Sequence, residues 1–492
     1  TTPIYYVNGA PHIGHAYTSV AADVMARFHR LAGDEVFFLT GTDEHGQKVE
    51  QAAVAAGVAP QAFVDKVAAD FRAMADAMNI SDDDFIRTTE PRHIAATQAL
   101  WTRVAENGAI YLDAYEGWYA LRDECFYNED ELVDGPGGQK LAPTGAPVDW
   151  VKEPSYFFRL SAFEDRLLAL YEEHPEFLGP HGARNEIISF VKQGLRDLSI
   201  SRTSFSWGVP VPGDEKHVMY VWFDALANYL SALGFPDESA PRMAFWPANL
   251  HLVGKDIARF HAVYWPAFLM AAGIDLPRKV FANGWWTIEG QKMSKSLGNV
   301  VDPRDLVREF GLDAVRFFML REVPFGGDSD LSRKALIARN NTELANDLGN
   351  LAQRTLSLVA RNCGGVLPER GPATGDDSKL LAQVALLPEL LGAQLARCAL
   401  TDALEEVWKT IRACNAYIDH QAPWALRKTD PERMAHVLRV LLDAMRGIAT
   451  MLQPFMPHSM GRMLDQLGVG QDERSFAALE HPLPGGRALP AP

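Results

Sequence analysis

The fold is decided by residues 4–15, which read IYYVNGAPHIGH. The β-branched and aromatic run Ile4–Val7 predicts a strand, and the Asn-Gly-Ala-Pro stretch that follows it is typical of a turn. A helix is expected next, because apolar residues recur on one face over residues 20–31 and Gly33 can end it. The apolar run Val36–Leu39 then predicts a buried parallel strand. This strand–helix–strand unit predicts a doubly wound α/β domain, whose ligands bind at the carboxyl ends of the strands.

The rest of the chain predicts further domains. Pro- and Gly-rich interruptions set one segment apart as an insertion, alternating strands and helices return after it, and the last part reads as helices. We therefore expect an α/β fold with a Rossmann-like doubly wound parallel sheet, split by an inserted domain and followed by an all-α helical bundle. The expected ranges are 1–105 and 201–305 for the two halves of the Rossmann-like domain, 106–200 for the inserted domain, 306–335 for a linking segment, 336–470 for the helical domain and 471–492 for a tail.

Composition excludes several classes of protein. Hydrophobic residues at 47% and charged residues at 22% of the 492 are typical of a globular chain and exclude a disordered, collagen-like or rod-like one. No run approaches the roughly 18 apolar residues of a membrane helix and no basic-then-apolar leader is visible, so we expect no membrane association. Four scattered cysteines predict a reducing compartment and no disulfide framework. The net charge of -16 argues against a protein that coats nucleic acid but allows a local RNA contact.

The first candidate site is His12-Ile13-Gly14-His15, where the predicted helix begins. The stretch is neither a Walker loop nor a GxGxxG fingerprint. A helix start still favours phosphate, because it presents unbonded backbone N–H groups and a partial positive charge. His12 and His15 add donors, and Gly14 lets a flat ring approach the backbone. The alternative is a pair of histidines at a helix start that binds nothing.

A second candidate site is the stretch KMSKS at residues 292–296. It places Lys292 and Lys295 three residues apart, between Gly290 and Gly298. A compact cationic loop with flexible ends can close over a triphosphate and neutralise the charge that develops on a leaving pyrophosphate. The alternative is a solvated basic loop.

Together, these two motifs are similar to the two signatures of class I aminoacyl-tRNA synthetases. The residues around them resemble the methionyl-tRNA synthetase family from residue 1 to about residue 470. The resemblance is carried by TPIYYVN at 2–8, GTDEHG at 41–46, YVWFDA at 220–225 and GKDI at 254–257.

The resemblance implies an amino-acid substrate and its site. In that family the position of Asp43 holds the ammonium group of methionine. The positions that surround the methionine side chain match Ile4, Tyr6, Trp222, Ala225, Leu226, Tyr229, Ile257, His261 and Trp265.

The chemistry of these residues agrees with that assignment. Aromatic walls suit a flexible thioether, and each sulfur–aromatic contact adds roughly 0.3–1.5 kcal/mol. His261 and Trp265 are four residues apart on a predicted helix, so both can face one pocket. From the residues alone, core packing of Trp222, Tyr229 and Trp265 and a helix-capping role for Asp43 remain the alternatives.

The resemblance also implies the reaction. ATP activates the methionine carboxylate to methionyl-adenylate with loss of pyrophosphate, and the terminal 2′-hydroxyl of tRNA(Met) then attacks the adenylate and releases AMP. No protein nucleophile is needed, because positioning and charge stabilisation carry such transfers, with Mg²⁺ on the phosphates. The implied catalytic residues are His12, His15, Lys292 and Lys295, which with Gly14, Gly254 and Asp256 form the implied ATP site.

A third marker lies in the helical region. Asn350 and Arg354 share one helical face, and Pro423-Trp424 supplies an aromatic face beside a rigid proline. An amide, a guanidinium and an aromatic plate suit unstacked single-stranded bases. The family reads its CAU anticodon at the matching positions. The alternative is a surface Asn–Arg pair and a core Trp.

The chain departs from many relatives in its insertion. Where they carry a CxxC zinc motif, this sequence has Ala120 and Asp123, followed by a lone Cys125. One cysteine cannot build a closed four-ligand site, so we expect no zinc. The turn must then be held by a polar network or by aromatic side chains, namely Trp118, Tyr119, Phe126 and Tyr127.

The leading hypothesis is therefore a methionine–tRNA ligase. No OB-fold appendage is visible after residue 470, so a monomer is expected. The expected compartment is the cytoplasm, with a mitochondrial matrix as the alternative. Three other functions remain open: a class I synthetase for leucine, valine or cysteine, a catalytically inactive tRNA-binding paralogue, and a dinucleotide-forming nucleotidyltransferase.

Overall fold

The computed structural model describes residues 1–123, 125–293 and 298–490. The strands are β1 Tyr5–Tyr6, β2 Leu39–Asp43, β3 Asp84–Arg87, β4 Ile110–Ala120, β5 Cys125–Tyr127, β6 Val133–Asp134, β7 Lys140–Leu141, β8 Asp149–Phe158, β9 Leu178–Gly179, β10 Leu198–Ser199, β11 Ser201–Arg202, β12 Pro210–Val211, β13 Asp214–Met219, β14 His251–Gly254, β15 Val280–Asn283, β16 Trp286–Ile288, β17 Gln291–Lys292 and β18 Ser329–Leu331.

The helices outnumber the strands in the second half of the chain. They are α1 Ile13–Ala32, α2 Gln47–Ala55, α3 Pro60–Ala77, α4 Pro91–Glu106, α5 Glu164–Glu173, α6 His181–Lys192, α7 Val221–Leu226, α8 Asn228–Ser231, α9 Trp265–Ala272, α10 Pro303–Phe310, α11 Leu312–Arg321, α12 Arg333–Arg339, α13 Asn350–Asn362, α14 Gly375–Ala385, α15 Leu387–Ala396, α16 Leu400–Gln421, α17 Pro423–Thr429, α18 Pro431–Leu452 and α19 Pro457–Gln466. Two π-helical turns occur, at Phe260–Tyr264 and Asn340–Gly349.

The described chain forms two compact units. The first comprises residues 1–11, 39–73 and 82–282, and the second comprises 12–38, 74–81 and 283–492. The units do not coincide with the domain ranges expected from the sequence, which remain predictions.

The first unit contains the doubly wound sheet. Its strands run in the orders β1-β2-β3 and β14-β15-β9. The backbone N–H of Leu252 donates to the carbonyl of Thr1 at 3.0 Å, so β14 continues the sheet beside β1. Strand order reverses between β1 and β14, which is the topological switch point where such sheets bind ligands.

The second strand lies later in the chain than expected. The sequence predicted it at Val36–Leu39, but that prediction is wrong, because β2 covers Leu39–Asp43 and every residue in it is buried. Its two threonines are hydrogen-bonded: the Thr2 hydroxyl donates to Thr40 Oγ1 at 2.8 Å and Thr42 donates to Glu44 at 2.7 Å. Polar residues that are satisfied inside a sheet leave no apolar signal in the sequence.

The insertion is built on a long antiparallel pair. β4 pairs with β8 from Ile110–Phe158 to Tyr119–Asp149, and the full order is β10-β8-β4-β5. Within the range expected for the insertion, β9 pairs in parallel with β15 of the doubly wound sheet.

The second unit is mostly helical and holds α1 with the C-terminal helices. As the sequence predicts, α1 ends at Gly33, which adopts the left-handed conformation. On α1 the carboxylate of Asp23 binds the guanidinium of Arg316 at 2.6 Å, and both side chains are fully buried. Arg316 also donates to the carbonyls of Met78, Pro454 and Phe455 at 2.8–3.1 Å. One cation therefore joins four segments of this unit.

One segment, Gly375–Ala396, is long and apolar enough to cross a membrane by length and composition. It comprises the two helices α14 and α15, and its buried residues include Asp377 beside Leu380 and Leu391. Core helices pass the same test, and an ionised Asp377 bound to Arg433 at 2.5 Å suits a protein core.

Candidate active site

Tyr6 and Asp43 lie side by side at the carboxyl ends of β1 and β2, where their backbones pair. Asp43 is only 5% exposed. The cap position of α2 is Gly46, so the helix-capping alternative for Asp43 is wrong. The Tyr6 ring is half-buried, with Lys48 Nζ 5.8 Å from its centroid, and Ile4 beside it is equally half-buried. A buried carboxylate therefore stands next to an accessible aromatic ring at the switch point.

Helix α7 brings three of the predicted pocket residues to one element: Trp222, Ala225 and Leu226. Ala225 and Leu226 are buried, whereas Trp222 is half-buried and stacks on Phe260 at 3.7 Å between ring centroids. Phe260 was not among the residues predicted for the pocket. Its signal is its place one residue before His261, in a run of aromatic residues.

His261 and Tyr229 form a buried pair. The Tyr229 hydroxyl lies 2.7 Å from His261 Nε2, and His261 Nδ1 lies 3.0 Å from the carbonyl oxygen of Ile257. A carbonyl only accepts, so Nδ1 carries the proton and Nε2 accepts from the phenol. Burial lowers the pKa of His261 to about 4 and raises that of Tyr229. Both groups are neutral at pH 7, which suits an uncharged ligand side chain.

His261 and Trp265 both contact Tyr229, with ring centroids 5.7 and 5.9 Å away. The helix predicted over them is confirmed, but its first part, Phe260–Tyr264, is π-helical and becomes α-helical only from Trp265. Pro266 lacks the N–H that would bond the Ala262 carbonyl four residues earlier. The buried Tyr171 hydroxyl donates to that carbonyl instead, at 2.6 Å.

Gly254 ends β14 on the other side of the switch point. A Cβ at this position would lie 2.5 Å from Asp256 Oδ1, so a side chain here would require Asp256 to move. Asp256 is exposed and Ile257 is half-buried. A polar side chain is thereby held next to an open stretch of backbone.

In the second unit, His12 and His15 cap α1 reciprocally. His12 Nδ1 accepts from the N–H of Gly14, and His15 Nδ1 accepts from the N–H of His12, both at 3.2 Å. The two rings stack at 3.7 Å. A backbone N–H can only donate, so the proton of each neutral ring sits on Nε2. Each ring therefore presents an N–H donor at the start of a helix.

The lysine motif follows a tight hairpin. β16 and β17 pair with Thr287 opposite Lys292, and Glu289 and Gly290 turn between them with positive φ. Asp330 Oδ1 accepts from the Thr287 hydroxyl at 2.6 Å and from the Gly290 N–H at 2.8 Å, which fixes the turn. Lys292 lies in β17.

The predicted Lys295 lies outside the described residues. After the motif, the carbonyl of Val301 accepts from the N–H of Ile13 at 3.1 Å. The chain leaving the lysine motif is thus bonded to the helix start that carries His12 and His15.

The helical region brings Arg354 to Trp424. The guanidinium lies 5.4 Å from the indole centroid and 2.5 Å from Asp419 Oδ1. Trp424 is 45% exposed and Asn350 is exposed, whereas Pro423 is buried at the first position of α17. The core-Trp alternative is therefore wrong, and the guanidinium of Arg354 is bound by the carboxylate of Asp419.

The turn that lacks the CxxC motif has its own support. Ala120 occupies a small apolar core with Ala142, Ala146 and Val148, against which Trp118 and Tyr127 pack. Asp123 accepts from the Tyr127 hydroxyl at 3.0 Å and from the Thr144 hydroxyl. Across the three described ranges, no group of three or more His, Cys, Asp or Glu residues could hold a metal ion.

A doubly wound sheet with a buried, neutral Tyr229–His261 pair at its switch point, a helix start capped by HxGH and a helical bundle together define a class I aminoacyl-tRNA synthetase. The family described as tRNA synthetases class I (M) matches residues 1–356, and the anticodon binding domain of methionyl tRNA ligase matches residues 367–492. The chain belongs to the methionine–tRNA ligase family, and its activity is the ATP-dependent attachment of methionine to tRNA.

Named relatives agree over the full length. The methionine–tRNA ligase of Mesorhizobium japonicum is 55% identical over 100% of this chain and 96% of its own. That of Rickettsia bellii is 56% identical over 97% and 94%. A Mycobacterium tuberculosis methionyl-tRNA synthetase in complex with methionyl-adenylate superposes with a TM-score of 0.97 at 51% identity, covering 100% of this chain and 97% of that one.

Proposed function

We propose that methionine is recognised by Asp43 and the pocket around Tyr229. Asp43 takes the ammonium group, since it is a buried carboxylate at the end of β2. The side-chain pocket consists of Ile4, Tyr6, Trp222, Ala225, Leu226, Tyr229, Ile257, His261 and Trp265. The observation that carries this proposal is the neutral Tyr229–His261 pair, because a charged wall would exclude a thioether.

The helix start holds the ATP phosphates. His12 and His15 donate through Nε2, and the N-terminus of α1 adds its partial positive charge. Gly254 and Asp256 take the ribose, with the Asp256 carboxylate lying close to the Gly254 backbone. Lys292 and Lys295 neutralise the pyrophosphate as it leaves, and Mg²⁺ arrives with ATP as part of the substrate.

The chemistry then needs no protein nucleophile. The methionine carboxylate oxygen attacks the α-phosphorus, the bond to the β-phosphate oxygen breaks, and pyrophosphate leaves. The 2′-hydroxyl of the tRNA attacks the adenylate carbonyl, and AMP departs with the bonding electrons. The protein contributes orientation and fixed donors, which typically supply most of the acceleration in such transfers.

The anticodon of tRNA(Met) is read by Asn350, Arg354, Pro423 and Trp424. The half-exposed Trp424 offers a stacking surface, and Arg354 is held over it by Asp419. Asn350 provides an amide for base-edge hydrogen bonds.

Three negative features complete the proposal. The insertion needs no zinc, because Asp123, Tyr127 and the small apolar core occupy the turn where a metal would sit. The protein acts as a monomer, and its partners are methionine, ATP and tRNA(Met), not a membrane. It works in the cytoplasm, as expected for a chain resembling bacterial enzymes, with a mitochondrial matrix as the alternative.

Amino-acid-dependent ATP–pyrophosphate exchange tests the proposal. We expect methionine to outpace leucine, valine, cysteine and homocysteine, and Asp43→Asn to lose exchange with methionine. Strongest exchange with another amino acid would contradict the pocket. No exchange with any of them, from folded protein that binds tRNA, would favour an inactive paralogue.

A further inference from the structure

Asp224 is a fully buried carboxylate to which the sequence analysis gave no role. It lies on α7, between Trp222 and Ala225. One of its oxygens, Oδ2, lies 2.6 Å from His45 Nδ1, and the other, Oδ1, lies 2.7 Å from His93 Nε2. Each oxygen of this carboxylate therefore binds a different imidazole.

The two histidines belong to different elements. His45 lies in the loop after β2, two residues beyond Asp43, and His93 lies in the first turn of α4. The other nitrogen of His93, Nδ1, lies 2.9 Å from the Ser231 hydroxyl of α8, the short helix that carries Tyr229. The hydrogen-bonded group consists of Asp224, His45, His93 and Ser231. It joins α7 and α8 to the loop of residues 44–46, which directly follows Asp43 and is called the Asp43 loop below.

The Asp43 loop is fixed on its other side as well. Glu44 accepts two bonds from the Arg87 guanidinium, at 2.7 and 3.0 Å. The Trp207 indole donates to the Glu44 carbonyl at 2.6 Å. His45 is then the side chain of this loop that ties it to the helix carrying the aromatic wall.

Charge supports a fixed arrangement. Burial acts to raise the pKa of Asp224, but the charge and hydrogen bonds of His45 and His93 outweigh it and lower the pKa to about 2. An ionised carboxylate only accepts, so both imidazoles donate to it and their rings are oriented. Burying such a charge is costly, and an apolar cluster of the same shape would be no less stable. We therefore explain this buried group by its effect on the position of the surrounding elements, more than by a contribution to stability.

We propose that Asp224 is a positioning residue for methionine activation, which holds the ammonium-binding loop of Asp43 at a fixed distance from the Trp222 wall. The inference rests on the proposed roles of Asp43 and Trp222. A group of this kind acts on the placement of the amino acid and leaves the binding of ATP unchanged.

Asp224→Asn tests it, assayed by ATP–pyrophosphate exchange. The amide nitrogen introduced at position 224 would face an imidazole N–H that also donates. One of the two hydrogen bonds to His45 and His93 is therefore lost, while the side chain keeps its shape. We expect kcat/KM for methionine to fall about 10- to 100-fold, as small misplacements do, with the KM for ATP within about twofold of wild type. The preference for methionine over ethionine should also narrow.

Two variants of His45 separate positioning from folding. In His45→Asn the amide nitrogen can take the place of Nδ1 and donate to Asp224, whereas His45→Ala removes the donor. We expect Asn to retain most of the methionine kcat/KM and Ala to behave like Asp224→Asn. If Asp224→Asn fails to fold, the two His45 variants still test the proposal. Equal values of kcat/KM for methionine in His45→Asn and His45→Ala overturn it.

Asp377→Asn is the matched control. Asp377 is also fully buried and bound to Arg433 and Tyr417, but in the second unit. The Asp377→Asn substitution should lower the melting temperature and leave the kcat/KM for methionine unchanged. Loss of exchange in Asp43→Asn but not in Asp224→Asn overturns the positioning role alone. No effect of Asp43→Asn overturns the proposed methionine site itself.

Discussion

The proposed amino-acid pocket and the proposed phosphate-binding helix start use histidine in opposite ways. His261 donates from Nδ1 to a carbonyl and accepts at Nε2 from Tyr229. His12 and His15 accept at Nδ1 from backbone N–H groups and keep the proton on Nε2. The backbone atom that faces Nδ1 sets the tautomer in each case. One side chain thus becomes a neutral wall in one region and a donor in the other.

The largest expected effect is on the rate of adenylate formation, through Lys295 of the proposed phosphate site. Lys295→Ala removes a cation from the leaving pyrophosphate, so the rate of adenylate formation should fall about 10²- to 10³-fold, as loss of one electrostatic donor does. The KM for methionine should stay near wild type. Pre-steady-state adenylate formation measures both, and Lys334→Ala, in the exposed part of α12, serves as the control. An unchanged rate would remove Lys295 from the mechanism.

The second effect is a pH dependence of the stability of the folded protein, caused by the buried neutral imidazole of His261. The pKa of His261 falls from 6.5 to about 4 on burial, so below pH 6.5 the unfolded chain takes up a proton that the folded protein refuses. Stability is therefore lost as pH drops from about 6.5 to 4, by roughly 3 kcal/mol at most from this residue. His261→Gln should flatten the curve of melting temperature against pH over that range. Parallel curves for the two proteins would show that His261 is not held neutral.

The third effect separates the two nitrogens of His15. Asparagine can keep the Nδ1-like acceptor that caps the helix, whereas glutamine can keep the Nε2-like donor. His15→Asn should retain stability and lose adenylate formation, by about 10-fold or more for one charge-assisted hydrogen bond. His15→Gln should lose about 1 kcal/mol of stability and retain more of the rate. If His15→Gln were the more stable variant and His15→Asn the faster one, the assignment of the His15 proton to Nε2 would be contradicted.

The smallest effect is at Asp330, which fixes the hairpin before the lysine motif. Asp330→Asn replaces a charged acceptor of two hydrogen bonds by an amide, at a cost of about 1 kcal/mol. We expect a severalfold loss of exchange rate with no change in the KM for methionine. Asp328→Asn, which removes a carboxylate bonded to the Trp285 N–H, is the neighbouring control. A rise in the methionine KM would assign Asp330 to the pocket instead.

The sequence predicts the helix start, the order of elements and the presence of an aromatic pocket, because short motifs and local periodicity encode them. It misplaces β2, since Thr40 and Thr42, buried and hydrogen-bonded to Thr2 and Glu44, give no apolar run. It misses the π-helical turn at Phe260, whose cause is a proline and a tyrosine far away in the chain. The Asp224 group is beyond it for the same reason: its histidines lie 131 and 179 residues away.

The buried cation of Arg316 limits how this chain can be shortened. The two family matches meet between residues 356 and 367, which suggests a place to cut. However, Arg316 depends on the carbonyls of Pro454 and Phe455, which lie well beyond any such cut. A fragment that stops near residue 360 would lose two acceptors of this guanidinium and would expose to water the apolar side chains that the later helices now cover. Gene truncation at the apparent module boundary should therefore yield insoluble product, whereas a fragment that retains residues 454–455 keeps the cation paired.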